Sequence, residues 1–228
     1  MMIKKNPKDL VPTFFNDTSN SYDDIVHWTT FGKDSLWKNK ILEQLSDQKT
    51  VLDLACGTGI LTKQIAKKLP QAKITGVDIT KNYLEKAKKK LMSYPNISFV
   101  NQDAEKLNLE KKFDCITTSY LPKYCTSKIL IKNCIEHLNV DGKIILHDFT
   151  YPKNFFVRKM WNLYFKVLYF LGFFIPNWKN VFVDLPSLIR ATNWVKEYEE
   201  TMRDYGMTVN RQDFTWGTSS IIVGTKTA

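Results

Sequence analysis

Cysteine is scarce in this sequence, and the patterns that depend on it are absent. The 228 residues include four cysteines, and no two of them form a C-x-x-C pair. We therefore expect the reduced thiols of a cytosolic protein rather than a disulfide framework, and we assign no metal ligands. The sequence has no internal repeat and no low-complexity segment. It starts with MMIKKNPKDL, which contains no apolar run, so we expect no secretory signal.

An excess of negative charge is also absent, because 33 Lys and Arg residues outnumber 23 Asp and Glu residues. The net charge of +10 indicates an anionic partner, which is a membrane surface, a nucleic acid or an acidic substrate. The remaining composition, 43% hydrophobic and 25% charged, is ordinary for a globular protein. The length is sufficient for one well-buried domain with insertions.

The stretch TVLDLACGTGIL, which begins at Thr50, reads as a buried strand, a glycine turn and the start of a helix. A dinucleotide fingerprint is absent, because Thr62 stands where its third glycine would be. A phosphate loop is absent too, because the apolar pair that begins at Ile60 stands where the Gly-Lys-Ser/Thr ending of such a loop would be. Gly57 and Gly59 have no Cβ, so they accept unusual φ values and let a ligand approach the backbone. The stretch predicts the cofactor corner of a doubly wound α/β domain, for a ligand without a phosphate at this point.

The pattern Asp-x-x-x-Gly-x-Gly resembles the first motif of class I S-adenosylmethionine-dependent methyltransferases. The resemblance implies S-adenosylmethionine as the cofactor, with Asp53 receiving the amino group of the ligand directly or through water. It also implies that the loop passes beneath the amino acid part of the ligand, so that Ala55, Gly57, Thr58 and Gly59 bind the cofactor. A plain turn between a strand and a helix in another α/β protein is the alternative.

Acidic residues follow the next two predicted strands. Asp78 lies about 20 residues beyond the glycines, the spacing at which an acid reaches a ribose in this architecture. Its carboxylate can accept hydrogen bonds from both ribose hydroxyls, although a helix N-cap is the alternative role. The family resemblance implies that Asp103 and Ala104 contact adenine, with an ordinary loop carboxylate as the alternative. We add Ile79, and Ser119 at the carboxyl edge of the fourth strand, to the predicted cofactor-binding residues.

The order of apolar runs and helical patterns predicts a Rossmann-like, doubly wound α/β fold. We expect a seven-stranded, mostly parallel sheet with a C-terminal antiparallel β-hairpin, N-terminal helices and an aromatic helical insertion. Asp34 or Ser35 is expected to cap the helix before the first strand, and a turn at Asp141 is expected to precede a fifth strand over residues 143–146. The predicted divisions are an N-terminal helical cap (1–45), an S-adenosylmethionine-binding core (46–150), an apolar helical insertion with the last core helix (151–206) and the hairpin (207–228).

Residues 154–178 are far more apolar than their neighbours, yet they contain no uninterrupted run of the roughly 20 residues that a spanning helix needs. Lys166 interrupts the run and Pro176 ends it. Arg158, Asn162 and Lys166 recur every fourth residue, which places a narrow basic stripe on a wide aromatic face. This pattern is typical of a helix that lies in a membrane interface or roofs an apolar substrate tunnel. A core helix or a dimer contact is the alternative.

Several runs resemble the ubiquinone/menaquinone biosynthesis C-methyltransferase family. They are residues 51–59, 113–118, 148–152, 185–190 and 214–217. The resemblance implies methylation of a lipophilic acceptor, most simply a prenylated quinol, and an N-terminal segment in which Tyr22 helps to close the pocket. Packing of Tyr22 against the sheet is the alternative.

The chain departs from that family after the fourth strand. The family usually has Phe-Gly-Leu-Arg-Asn there, whereas this chain has SYLPK from Ser119 to Lys123. These residues border the substrate in the family. A different quinone, or another small-molecule or lipid acceptor, is therefore an alternative.

Methylation of a quinol ring carbon requires removal of a phenolic proton, so a base is useful. His147, Asp148 and Tyr120 are predicted at strand ends that face the cofactor, and we regard them as candidate catalytic residues. His147 titrates nearest to neutrality when it is unperturbed. A structural hydrogen bond is the alternative role for each of them.

Two other classes of function stay open at this point. A non-catalytic cofactor- or lipid-binding partner of a biosynthetic complex would share the fold. A nucleic-acid methyltransferase would use the basic charge, but the chain has no Asn/Asp-Pro-Pro-aromatic base-flipping motif, so we expect no nucleic-acid partner. We expect a cytoplasmic protein with peripheral contact to an anionic membrane on its inner face. The sequence is compatible with an oligomer and does not specify one.

Overall fold

The computed structural model describes residues 7–15 and 17–226, which are organised around one seven-stranded β-sheet. In chain order the strands are β1 (Thr50–Leu54), β2 (Lys73–Asp78), β3 (Ile97–Asn101), β4 (Phe113–Ser119), β5 (Leu138–Phe149), β6 (Thr208–Phe214) and β7 (Ser219–Thr225). Their spatial order is β3-β2-β1-β4-β5-β7-β6. Strands β1 to β5 are parallel, and β7 is antiparallel to both β5 and β6. The predicted doubly wound sheet with a C-terminal hairpin is confirmed.

The central strands are apolar on both faces of the sheet because helices cover both faces. Successive side chains of a strand point to opposite faces, and the two apolar cores follow this alternation. On β1, Val51 belongs to one core and Leu52 to the other. On β4, Cys115 and Ile116 divide in the same way.

The helices of the described residues are α1 (Leu10–Phe15), α2 (Tyr22–Thr29), α3 (Lys33–Glu43), α4 (Ile60–Lys68), α5 (Lys81–Lys90), α6 (Ser127–Glu136), α7 (Phe155–Leu171), α8 (Pro176–Ala191) and α9 (Trp194–Asp204). Helices α3 and α4 contribute side chains to the core that contains Val51, and α6 and α9 to the core that contains Leu52. A third cluster joins α1, α2, α7 and α8 through buried residues such as Phe14, Val26 and Leu168.

The apolar insertion forms two helices, whereas the sequence predicted one. Helix α7 ends at Leu171, and α8 begins at Pro176. Proline is favoured in the first turn of a helix, because its fixed φ suits the helix and its missing N–H has no partner there. Pro176 therefore starts the second helix after the apolar run. Among residues 7–15 and 17–226, no helix has both the length and the apolar character needed to cross a bilayer.

Two local predictions were wrong. Neither Asp34 nor Ser35 caps α3, because the helix already starts at Lys33, after Gly32 in a left-handed conformation with φ 72°. The turn predicted at Asp141 lies inside β5, which starts at Leu138 and has an irregular register against the start of β4. Asp141 has a φ of 58° there, so a turn-forming residue makes a bulge instead of ending the strand.

Gly59, which precedes α4, allows close packing of the loop against the segment that contains α5. Its φ is 82°, and a Cβ at this position would lie 2.8 Å from Leu91 Cδ1 and 3.3 Å from Ala87 Cβ. Both neighbours are buried. The left-handed conformation and the lack of room for a side chain therefore both require glycine at position 59.

We expect Gly59→Ala to destabilise the protein more than Gly206→Ala. A left-handed conformation costs an alanine roughly 1–2 kcal/mol at either site. Gly206 has a φ of 74° and no atom within 4 Å of an added Cβ. The Gly206→Ala variant therefore measures the conformational cost without overpacking. Overpacking should add about 1–3 kcal/mol at Gly59. Urea unfolding of both variants measures the difference, and equal losses would contradict the packing argument.

Candidate functional site

Three adjoining cavities lie where the sheet meets the helices α1 to α3, α7 and α8. The carboxylate cavity, about 310 Å³, is lined by residues that follow β1 to β4, including Asp78 and Asp103. The inner cavity, about 30 Å³, is lined by Asp53, the glycine loop and α3. The apolar cavity, about 460 Å³, is lined mainly by α2, α7 and α8. The first and the third have the size of ordinary small-molecule sites.

The loop after β1 presents its backbone to the first two cavities. Ala55 and Gly57 line both, and both are in the left-handed region, with φ of 53° and 57°. A non-glycine residue in that region is uncommon and is often found at binding sites. Thr58 lines the inner cavity, and its hydroxyl donates to Asp23 of α2. Gly59 lines none of the three cavities, so its role is the packing described above.

Asp78 connects the end of β2 to the glycine loop. Its Oδ2 accepts the Gly57 N–H at 2.9 Å, and its Oδ1 accepts the Thr80 N–H at 2.7 Å. The carboxyl group lines the carboxylate cavity and is 8% exposed, and this burial raises its pKa. Each oxygen has a second lone pair for a ligand hydroxyl. Asp78 can therefore support the turn before α5 and face the cavity at the same time.

The far end of the carboxylate cavity contains the other predicted contacts. Ile79 and Ala104 line it together with Asp103. Asp103 accepts the Glu105 N–H at 3.0 Å and forms an ion pair with Lys8, which comes from the N-terminal segment. The N-terminal segment therefore covers this end of the cavity.

The inner cavity contains groups of opposite charge. Asp53 is 1% exposed, and its oxygens accept hydrogen bonds from Thr62 Oγ1 at 2.6 Å and Thr117 Oγ1 at 3.2 Å. Burial raises its pKa to about 6, so the carboxyl is mainly ionised at pH 7. Lys38 of α3 lines the same cavity and donates to Asp34. A carboxylate and an ammonium on one small cavity suit the two charged groups of an amino acid.

Four aromatic residues line both the carboxylate cavity and the apolar cavity: Phe15, Tyr22, Tyr120 and Tyr124. We call them the aromatic wall. The Tyr22 ring lies 5.2 Å from that of Tyr83 and 6.1 Å from that of Trp178, so the residue packs and borders the cavities at once. Tyr120 lies in the left-handed region at φ 71°, and its hydroxyl donates to Asp34 Oδ1 at 2.8 Å. Tyr22 and Tyr120 also line the inner cavity, so they mark where all three cavities meet.

The structure does not bring His147 and Asp148 to the cavity linings. His147 is fully buried, with Nδ1 2.8 Å from Ser119 Oγ and Nε2 2.9 Å from Ser219 Oγ. Burial, together with the nearby lysines, holds its pKa well below the usual range. Asp148 is fully buried and pairs with Lys123 at 2.8 Å. Of the three candidate bases, only Tyr120 borders the cavities, and its pKa is raised well above normal by burial and by Asp34, which makes it a weak acid. Ser119 lines the carboxylate and inner cavities as predicted.

Sequence reasoning missed Lys38, Lys123 and Tyr124. Lys38 follows Asp34 by four residues, the spacing of an ion pair on a helix, and this was the available signal. Lys123 and Tyr124 lie in a short 3₁₀ turn whose direction no local pattern specifies. Only the fold places them beside α2 and α7.

S-adenosylmethionine fits this set of donors and acceptors. We propose that Asp78 would hold the ribose hydroxyls, and that Asp103 and Ala104 would face adenine. Asp53 would hold the ammonium of the amino acid part, and Lys38 would hold its carboxylate. Charged partners give these hydrogen bonds more strength than neutral ones would.

We expect Asp78→Ala to weaken binding of S-adenosylhomocysteine at least about 100-fold, because two charge-assisted hydrogen bonds of roughly 1.5–3 kcal/mol each are lost. Isothermal titration calorimetry measures the affinity. Asp114→Ala is the matched control: Asp114 Oδ2 also accepts two backbone N–H groups, from Lys49 and Thr50 at 2.9 Å, but at the opposite edge of the sheet. The control should keep its affinity, and unchanged affinity in Asp78→Ala would contradict the placement.

Comparisons with known proteins agree with the geometry. The model of the ubiE/COQ5 methyltransferase family matches residues 1–226. A demethylmenaquinone methyltransferase of Lactococcus lactis subsp. lactis (strain IL1403) is 32% identical over 182 residues, which cover 75% of this chain and 71% of that protein. One of Staphylococcus aureus (strain JH9) is 28% identical over 174 residues, which cover 73% and 71%.

Among solved structures, the plantazolicin methyltransferase BpumL, in complex with a monoazolic desmethylPZN analogue and SAH, has a TM-score of 0.67 at 14% identity. The match covers 97% of this chain and 95% of that one, and it shows a common fold. With the family model matching almost the whole sequence, the chain belongs to the ubiE/COQ5 methyltransferase family and is an S-adenosylmethionine-dependent methyltransferase.

Proposed function

We propose that this methyltransferase acts on a ring carbon of a prenylated hydroquinone. The observation that carries the proposal is the aromatic wall, whose four residues line both the carboxylate cavity, which suits S-adenosylmethionine, and the larger apolar cavity. Transfer between two bound molecules needs their reacting atoms held close and in line, and such positioning supplies several kcal/mol of the barrier. The named relatives are demethylmenaquinone methyltransferases, which supports a naphthohydroquinone as the ring.

The apolar cavity suits a ring that carries an isoprenoid chain. Its walls are apolar side chains of three helices, among them Val26, Leu168 and Val181. Phe31 and Trp216 also line it and are 79% and 83% exposed, so the cavity reaches the surface at these residues. A ring at the aromatic wall would place its chain along the apolar cavity toward that opening.

Bound S-adenosylmethionine supplies an activated methyl group. The residues of this chain align the acceptor with it. Tyr22 and Tyr120 border all three cavities, so they are the side chains expected to touch both molecules.

The proposal is tested with purified protein, S-adenosylmethionine and a chemically reduced 2-prenyl-1,4-naphthoquinone. We expect mass spectrometry to show one added methyl group on a ring carbon. Val181→Phe, which narrows the apolar cavity, should raise KM for the prenylated acceptor about tenfold, since misfit of an apolar group costs roughly 1–3 kcal/mol. It should leave the affinity for S-adenosylhomocysteine unchanged.

Val183→Phe is the matched control, because Val183 lies on the same helix, is 39% exposed and does not line the cavity. Its KM should equal that of the wild type. Methylation of an unprenylated small molecule in preference to any prenylated quinol would overturn the proposal.

We further propose that the enzyme works at an anionic membrane surface. One exposed helical row, which we call the α7 surface, consists of apolar side chains that are 50–74% exposed: Phe156, Met160, Leu163, Val167, Phe170 and Phe174. Met160 also lines the apolar cavity, so the row and the cavity are continuous. Cations flank the row, with Lys159 Nζ 4.5 Å from the Phe155 ring centroid and Lys179 Nζ 4.9 Å from that of Phe173.

This arrangement suits a helix lying in the interface of a bilayer, where aromatic rings enter the headgroup region and lysines face anionic lipids. The net charge of +10 acts in the same direction. A membrane-borne quinol could then pass from the bilayer into the apolar cavity without crossing water.

Vesicle sedimentation tests this proposal. We expect binding to phosphatidylcholine vesicles that contain phosphatidylglycerol, and weaker binding at high salt because of screening. Phe170→Glu/Phe174→Glu should reduce binding at least about tenfold, since each buried phenyl ring contributes roughly 1.5–3 kcal/mol. Met92→Glu, at another exposed apolar position (85%), should have no effect. Equal binding by both variants would argue against the α7 surface.

A further inference from the structure

A buried ammonium group lines the otherwise apolar cavity. The side chain of Lys123 is 2% exposed and belongs to the cavity lining. Lys33 is the other charged residue of the described lining, and it is exposed at the surface. The position of Lys123 near the aromatic wall is unusual, because a buried charge is unfavourable unless it is paired and hydrogen-bonded.

Two hydrogen-bond partners hold the ammonium of Lys123, and its ion-pair partner Asp148 lies outside the cavity lining. Nζ donates to Asp148 Oδ1 at 2.8 Å and to the Tyr120 carbonyl oxygen at 2.7 Å. Asp148 itself is fully buried, lines none of the three cavities and also accepts the backbone N–H groups of Lys123 and Phe149. The ion pair therefore joins Asp148, which lies outside the three cavities, to Lys123, which belongs to the lining of the apolar cavity.

One N–H group of Lys123 is left for a ligand. An ammonium has three N–H donors, and in the described part of the chain two of them have the partners named above. Nζ lies 4.5 Å from the ring centroid of Tyr124 and 5.7 Å from that of Phe149, and both rings line the cavity. A ring oxygen of an acceptor seated against these aromatic residues would come within reach of this donor.

We propose that Lys123 binds the phenolic oxygen of the acceptor in its ionised form. This inference rests on the proposed function and specifies how the site makes the acceptor reactive. A phenolate places more electron density on its ring carbons than a phenol does. In the step we propose, the phenolic proton passes to water, and the phenolate charge is balanced by the ammonium of Lys123. The pair with Asp148 keeps that ammonium in place before the acceptor arrives.

Burial lowers the pKa of Lys123, and its ion pair with Asp148 opposes that shift. The titratable rings around Lys123 are neutral near neutral pH. Burial raises the pKa of Tyr120 and Tyr124, so both stay neutral, and it holds the pKa of His147 well below its usual range, so the imidazole stays neutral too. The remaining charged or titratable groups near it are Asp148 of β5, Cys125 beside it in the chain, Tyr198 of α9, and Asp34 and Lys38 of α3 beyond Tyr120.

The test uses 4-nitro-1-naphthol, whose phenolate absorbs visible light, bound to the full chain without S-adenosylmethionine. Titration of its absorbance between pH 5 and pH 9 gives the ratio of phenolate to phenol affinity. We expect that ratio to be at least about tenfold higher for the wild type than for Lys123→Met. A tenfold difference corresponds to a shift of about one unit in the pKa of the bound probe. Lys123→Arg should retain most of the effect, because it keeps the positive charge.

Two further variants make the result decisive. Lys40→Met removes a lysine that is also ion-paired, with Glu43 at 2.8 Å, but lies outside the cavity, and it should match the wild type. Lys123→Met/Asp148→Asn avoids an unpaired buried carboxylate and should behave like Lys123→Met if that single variant folds poorly. The same ratio in the wild type and in the double variant would overturn the inference.

The probe also separates this inference from the proposed function. A ratio of phenolate to phenol affinity that depends on Lys123, without methylation of any prenylated quinol, would support the inference and overturn the proposed substrate. Methylation of the quinol, together with an affinity ratio that does not depend on Lys123, would support the proposed function and overturn the inference.

Discussion

The hydrogen bonds of the Asp78 carboxylate are the constraint on which the site depends. One oxygen binds the glycine loop after β1, and the other binds the turn before α5, so a single buried side chain fixes the distance between two strand ends. Its burial costs free energy, because an ionised carboxylate loses water there, and two backbone N–H groups offset part of that cost. This junction joins the two loops and leaves the acid on the lining of the carboxylate cavity.

The second organising feature is the division of the site by aromatic rings. The carboxylate cavity is lined by the strand ends together with α1 and α5, and the apolar cavity is lined mainly by helices of the third cluster. The aromatic wall belongs to both, so the position of the acceptor depends on how α1 and α2 and the turn after β4 pack together. Asp23 contributes to that packing, since it accepts from Thr58 of the glycine loop and pairs with Lys90 of α5.

Local patterns predicted the sheet well and the interior of the site less well. The glycine loop and Asp78 were recognisable because strand, turn and helix are contiguous in the chain, and their chemistry follows from position at a strand end. His147 and Asp148 have the residue types of a catalytic base, yet one faces serine hydroxyls and the other faces Lys123. Which way a strand-end side chain points depends on register against neighbours, here β4 and β7, and no local pattern contains that register. The same reason explains why Lys38 and Lys123 were missed.

The sequence by itself determined the fold class, the glycine loop and the acid at the end of β2, because each follows from neighbours in the chain and from hydrophobic periodicity. It also determined the apolar character of residues 154–178. Only the tertiary structure decided that a second helix follows α7, that one face of α7 lines a cavity while the other is exposed, and that Lys123 belongs to the lining of that cavity. The physical reason is that burial and direction arise from contacts between residues far apart in sequence, which packing of the complete chain alone establishes.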